Sequence, residues 1–445
     1  MKFLLGISII LLSGFVYWKA SGSLSLRKLN IISFSYYTLL FYQLIGGTIV
    51  FWGFRTQYLL QKVKSEEVFT DGYIFLIYTI LMFGISIFLS NLFIFKTNVS
   101  KLYDDYIIEK TNINNSNRMF LFVLILGSIC FGSMIYVCNQ IGYIPLIELV
   151  RGELDFAKER IIINSNFAGN IYIKNLLFET CTPLLCYLAY CYMRVSKETK
   201  WKLLFCMLFL ISVIAKTIDF SKSPAIYFIF YFFVIEVMLG NIKSSRKIIP
   251  LLVVCVVILL FFYRFIMGYE GALFSLTNGP MARLLISQVA TFFLHIDAFP
   301  TLESFLKGAS FNTKFAIVLE NAAVIRSGRV VMNLYNPSGV KAGVAGVMNT
   351  FFAGEAYANW GILGIIIAPI IVGILFSVVH CYLLRLKKTP ITITLYLEFF
   401  IIFTTILEGG FVDFFYNAGL IFIVLILLFL FTIGKIVLPK NRRYH

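Results

Sequence analysis

Charge is what this chain has little of. Only 13% of its 445 residues are Asp, Glu, Lys or Arg, about half the share expected of a soluble domain. That scarcity excludes an ordinary water-soluble fold. Histidine is scarcer still, with three in all. No Asp-x-Asp or His-x-x-x-His spacing occurs, so the residues predict no metal site. The eight cysteines (130, 138, 181, 186, 191, 206, 255 and 381) fall in apolar runs or at their edges. None has zinc spacing, and they read as small apolar fillers rather than staples or ligands. Glycine-rich phosphate loops of the nucleotide type are absent. No internal repeat and no low-complexity tract is visible.

What is present is apolar. The chain is 60% hydrophobic, with a mean hydropathy of +0.88. A helix needs roughly 20 apolar residues to span a bilayer. Eleven such runs are predicted, at about 3–18, 31–53, 73–95, 119–141, 176–193, 203–218, 224–240, 249–266, 360–384, 390–408 and 414–434. The first lacks a small-residue cleavage site and is read as a span, not a signal peptide. The expected fold class is all-α: a polytopic helical bundle with a long external loop. Residues 1–266 form an N-terminal bundle of about eight spans with an external loop at 142–175. Residues 267–359 form the large external loop, and 360–445 form the last spans and a tail.

Positive residues gather in short loops on one side. They are Lys19, Arg27 and Lys28; Arg194, Lys197, Lys200 and Lys202; Lys243, Arg246 and Lys247; Arg385, Lys387 and Lys388; and the tail. The positive-inside rule makes these loops cytoplasmic, with the N-terminus outside. The net charge of +16 is thus topogenic, and nucleic acid is excluded as a partner. The cytoplasmic loops are too short to hold a domain for nucleotide-sugar donors. The two long loops lie outside, so the chemistry is expected at the outer surface. Within the longer one, 283–308 reads as an interfacial or packed helix. The stretch from 326 onward, rich in Gly and Asn, reads as irregular backbone with free amide donors.

The outer face carries the candidate cations Arg151, Arg160, Lys216, Lys222, Arg264, Arg283, Arg326 and Arg329. A guanidinium forks onto phosphate oxygens, and a lipid diphosphate would need several such groups. Nearby acids, or lipid headgroups, offer these cations structural partners instead. Among the carboxylates, Glu355 sits just before a predicted span, and Glu408 and Asp413 bracket the turn "EGGFVD". A carboxylate there can take a proton from an attacking sugar hydroxyl, or cap a helix. His295 is the alternative base. Tyr357 and Trp360 are candidates to stack on sugar faces or to sit in an interfacial aromatic belt.

The stretch "GEAYANWGILGI", 354–365, resembles the Glu-x-Tyr-x-Asn-aromatic-Gly-x-x-Gly signature of bacterial O-antigen and oligosaccharide repeat-unit polymerases (the Wzy type). "RGELDFAKER" and "SKSPAI" are similar to that family's arginine-bearing first external loop and its Ser-Arg-Gly/Ser-Pro turn, with Lys222 where arginine is usual. Two Arg-x10-Gly motifs found in some members are not matched. Arg160 reaches Gly169 after eight residues, and Arg329 reaches Gly339 after nine. The resemblance implies a GT-C-like glycosyltransferase of the plasma membrane, working without metal or cofactor. Its donor and acceptor would be oligosaccharides on undecaprenyl diphosphate, with a flippase and a chain-length regulator as pathway partners. Glu355 would act as base or position the acceptor. Arg151, Arg160, Lys222, Arg264, Arg283, Arg326, Arg329 and Tyr357 would serve diphosphate and sugar. The alternatives are a ligase-like transferase that uses the same donor and a flippase of lipid-linked sugars.

Overall fold

A computed structural model describes residues 2–113, 115–151, 167–220, 222–242, 270–311, 324–343 and 345–436, with residues 159, 160, 163, 250, 253, 257 and 264. Among the described residues there is no strand. The longer helices are α1 (Lys2–Ser21), α2 (Ile31–Phe51), α3 (Glu67–Phe93), α4 (Val99–Ile108), α5 (Ser116–Ile141), α6 (Ile173–Ser196) and α7 (Thr199–Thr217). They continue with α8 (Lys222–Met238), α9 (Gln288–Ala298), α10 (Ser327–Tyr335), α11 (Phe352–Trp360), α12 (Ile362–Arg385), α13 (Pro390–Ile406) and α14 (Ala418–Ile436).

Seven helical stretches among the described residues are long and apolar enough to cross a membrane: α1, α2, α3, α5, α6, α12 and the one ending in α14. Eleven were expected, and the difference has physical reasons. α8 and α13 have 17 residues each, under the usual spanning length. α7 carries three lysines, Lys200, Lys202 and Lys216. The expected span at 249–266 lies outside the described residues but for four positions, as do Lys243, Arg246, Lys247 and most of the tail.

The chain divides into two compact units. The first comprises Met1–Asp104, Gly268–Tyr382 and Phe400–Asn417. Asn30 starts α2 with a reciprocal cap. Its Oδ1 accepts from the Ile32 and Ser33 amides, and Ser33 Oγ accepts from the Asn30 amide at 2.9 Å, which satisfies donors no helix can satisfy for itself. Polar side chains knit the long helices. Asn91 on α3 donates to Ala20 O of α1 at 3.0 Å and accepts from Ser377 of α12 at 2.6 Å. Such bonds link helices where apolar surface gives them no preference for one another over lipid.

α9 is the centre of this unit. Every residue from Val289 to Ala298 is buried, as a helix apolar on all sides must be. Of the two sequence expectations for this segment, the packed helix is the one observed. Phe293 packs tilted against Phe69 of α3 (5.5 Å), and Phe292 meets Phe351 at the start of α11 edge-on (5.2 Å). The stretch after Arg326 differs from the irregular backbone expected. Residues 327–335 form α10, because Ser327, Gly328, Val331, Met332 and Tyr335 recur at helical spacing and are all buried. Tertiary burial overrides the weak helix preference of its Gly and Asn.

The second unit comprises Asp105–Met267, Leu383–Phe399 and Ala418–His445. Its core holds Val137, Phe178, Ile211, Ala215 and Ile218. Tyr192 of α6 stacks on Trp201 of α7 at 4.2 Å. Lys388 Nζ donates to the carbonyls of Tyr106, Ile107 and Glu109 at 2.8–3.1 Å, so a cation closes the carbonyl end of α4.

Candidate functional site

α11 ends at Gly361, whose φ of +61° only glycine adopts freely. A Cβ there would also press to 2.9 Å on the Phe305 ring. This break separates α11 from α12, so Glu355 sits on its own short helix just before a membrane span. It does not cap that helix. Its side chain reaches across to two other segments of the first unit.

Glu355 is 2% exposed. Its Oε1 accepts from Arg326 Nε at 2.9 Å, and its Oε2 accepts from the Val412 amide at 3.0 Å. The other edge of the same guanidinium forks onto Asp413, Nη1 to Oδ1 at 2.8 Å and Nη2 to Oδ2 at 3.0 Å. One arginine therefore orients two carboxylates, a task its rigid planar fork suits and a lysine's ammonium does not. The turn that brings Val412 and Asp413 here passes Gly410, with φ at +148°. A Cβ on Gly410 would meet Arg326 Nη2 at 2.7 Å and crowd the Glu355 carboxylate, so glycine is required twice over.

Burial pushes the Glu355 carboxyl above its ordinary value, and the Arg326 charge and the Val412 amide draw it back. Burial works against the Arg326 charge. The bonds to Asp413 and the charge of Glu355 outweigh it and hold the guanidinium above its ordinary value. The cluster keeps its charges because each is paired and hydrogen-bonded.

These groups line a cleft of about 370 Å³, with Ser327, Arg329, Asn349, Thr350 and Gly409 on its walls. Arg329 is exposed and donates to Gly346 O at 3.1 Å. The Thr350 hydroxyl is buried and has no hydrogen-bond partner among the described residues. A buried hydroxyl without a partner costs free energy, and one on a cleft wall is free to bond a ligand. The cleft thus offers a buried carboxylate, a paired and an exposed guanidinium, and hydroxyl and amide groups. That inventory suits a polyhydroxylated, anionic ligand.

His295 lies behind the cleft wall, fully buried. Its Nδ1 is 2.8 Å from Thr291 O, a pure acceptor, so Nδ1 donates. Nε2 is then the acceptor for Ser327 Oγ at 3.2 Å. Burial lowers the imidazole to about 4. Tyr357 is also buried, packed edge-on to Phe305 at 5.8 Å and near Phe75. Trp360 packs against Phe311 and Phe411. Asn359 acts as a clasp. Its Nδ2 donates to Glu355 O and Ser310 Oγ, each at 2.9 Å, and its Oδ1 accepts from the Gly308 amide at 3.0 Å.

Arg283 is in the first unit, exposed on a single π-helical turn (Arg283–Ser287) leading into α9. The other candidate cations belong to the second unit. Arg151 is exposed and pairs with Glu148 at 3.2 Å. Arg160 is 3.9 Å from Asp219. Lys222 opens α8, and its side chain lies outside the described residues. Arg264 is exposed. Of the nearby acids, Glu153 and Asp155 lie outside the described residues. The structure therefore brings together Glu355, Arg326 and Arg329 of the expected set. It adds Asp413 as a direct partner, and Ser327, Asn349 and Thr350, which no sequence motif marked.

Comparison with protein-family models, with curated proteins and with solved structures returned no match to this chain.

Proposed function

We propose that this membrane protein joins lipid-linked oligosaccharides, moving a growing glycan from undecaprenyl diphosphate onto a new lipid-linked repeat unit. The observation that carries the reading is the Glu355–Arg326–Asp413 cluster, whose buried carboxylate and half-buried guanidinium line a polar cleft on the short helix just before a membrane span. In this reading the acceptor hydroxyl attacks the anomeric carbon of the donor. The bond from that carbon to the diphosphate oxygen breaks, and the hydroxyl proton passes to Glu355. Desolvation makes a carboxylate a stronger base than it is in water, and Glu355 keeps lone pairs beyond the two it commits to Arg326 and Val412. Arg329, exposed at the cleft, meets the departing diphosphate, where stabilising developing charge contributes most to the rate.

The remaining parts of the reading follow from the resemblance at 354–365. They are a GT-C-like architecture, an outer-face site in a bacterial plasma membrane with the C-terminus cytoplasmic, and pathway partners that flip the units and set chain length. In the same reading His295 positions Ser327 and the start of α10, because its basic nitrogen is occupied and buried.

The test is the glycan profile of cells lacking the protein, complemented with the parent or with Glu355→Gln. Single repeat units that reach the outer face and stay unjoined in the null strain, unrescued by Glu355→Gln, are the expected result. Full-length chains left on undecaprenyl diphosphate would instead assign a ligase. Units held on the cytoplasmic face would assign a flippase.

A further inference from the structure

The turn that holds Glu355 and Arg326 begins at Glu408, one residue before the wall residue Gly409. Glu408 follows the end of α13 at Ile406, and its carboxyl meets Gln43, on a π-helical turn (Leu40–Leu44) in the middle of α2. Gln43 is fully buried. Its Nε2 donates to Glu408 Oε2 at 2.6 Å. The amide oxygen Gln43 Oε1 and the other carboxyl oxygen, Glu408 Oε1, are shut off from solvent and have no partner among the described residues.

Two buried acceptors cannot satisfy each other, and leaving both unmet is costly. One proton resolves both. A carboxylic acid and a primary amide have matching planar heads, each with one donor and one acceptor edge. We propose that Glu408 is a proton-binding site: it takes one proton from water on Oε1 and donates it to Gln43 Oε1, closing a neutral, cyclic acid–amide pair. Burial supports the assignment, since it pushes this carboxyl up to about 8.

The groups that face this turn leave the charge with no nearby alternative. α11 brings Glu355, the N-terminal flank of α10 brings Arg326, and the turn itself brings Asp413. Arg326 is already bonded to both of those carboxylates. Of the elements around Gln43, α9 brings His295 and Asp297. Asp297 accepts from the Lys64 amide and from Tyr335. The turn before α9 brings the exposed Arg283, and α3 brings Asp71 and Tyr73, the latter bonded to Thr48. Among the described residues no cation is thus hydrogen-bonded to Glu408. The neutral pair ties the turn to α2 through two bonds and keeps a third negative charge away from the cleft. Loss of the proton removes one bond and adds that charge.

The pair stands apart from the glycan-transfer reading, and its test does not measure transfer. Infrared spectra of the purified protein separate the carbonyl stretch of a protonated carboxylic acid from carboxylate bands. At neutral pH, Glu408→Gln should lose one protonated-acid component with unchanged helical content, because a second amide reproduces the pairing. Gln43→Leu should move that component to higher frequency, because its carbonyl loses the amide donor. In the parent, the component should vanish as pH rises through about 8. A spectrum unaltered by Glu408→Gln would overturn the proposal. Should that variant fail to fold, a component that does not move in Gln43→Leu would overturn it equally.

Discussion

The candidate cluster of the first unit and the buried lysines of the second settle their cations by different means. In the first, Arg326 is matched to two carboxylates, and its planar head fixes the angle between them. In the second, the buried ammonium groups rest largely on backbone carbonyls. Lys174 Nζ donates to Ile163 O at 2.6 Å, Lys216 Nζ to Glu179 O at 3.0 Å, and Lys388 Nζ to three carbonyls. A carbonyl satisfies the hydrogen bond and leaves the positive charge in place. The arginine cluster is therefore a geometric device whose net charge is set by its acids. The lysines fasten backbone, and Lys174 also lies 3.8 Å from the Glu179 carboxylate. A site that must orient reacting groups is expected to use the first arrangement, and a scaffold facing anionic headgroups can use the second.

Breaking the arginine cluster should have the largest effect. Arg326→Ala strands the buried Glu355 without its cation; removing a partner from a buried charge costs about 3–5 kcal/mol, and the lower end is expected here because the Arg326 side chain is 36% exposed and partly screened. Thermal unfolding in detergent should show that loss, and on the proposed function glycan joining should fall to the null-strain level. Arg326→Lys should not restore joining, since an ammonium cannot reproduce the fork.

The pH dependence behind the cleft comes next. Unfolded, His295 takes a proton near its ordinary 6.5; folded, only near about 4. Between those values the unfolded chain holds more protons. Stability is therefore complete above 6.5 and is lost as pH falls through 4, over a range worth roughly 3 kcal/mol. His295→Gln should flatten unfolding temperature against pH across that window, and an undiminished slope would assign it to another group.

In the second unit the expected effects shrink. Lys388→Met keeps the apolar stem but leaves three carbonyls without a donor, and should cost about 1–2 kcal/mol. Equal losses from Lys388→Met and Arg326→Ala would undo the contrast between the two arrangements. Arg151→Gln removes an exposed pair and should shift stability by a few tenths of a kcal/mol at most.

Much of this was written in the sequence in a form local rules can read. The membrane helices announce themselves by length and hydropathy. Glu355 stood out because a carboxylate beside a span is costly, and Gly361 and Gly364 marked a tight helix start. What could not be read was partnership. Val412 and Asp413 meet Glu355 and Arg326 across 57 and 87 residues of chain, and no local pattern says which of eight outer cations turns inward. His295 and Tyr357 looked accessible because polar atoms in a long external loop usually are. The all-round apolar run "VATFFLHI" was the available signal that this helix is buried instead. α10 was missed because its Gly and Asn content outweighed, on paper, the spacing of Val331, Met332 and Tyr335.

The clasp made by Asn359 has a practical side. Leu306 and Lys307 donate their amides to Ala358 O and Asn359 O, and Ile325 donates to Ala309 O at 2.8 Å while Ser310 Oγ bonds Ile325 O. The chain thus leaves the cleft near 310 and returns near 325 through stems stitched to α11 and to each other. An epitope tag inserted between residues 311 and 324 would leave every one of those stitches in place. Antibody added to intact spheroplasts would then report which face of the membrane the cleft occupies.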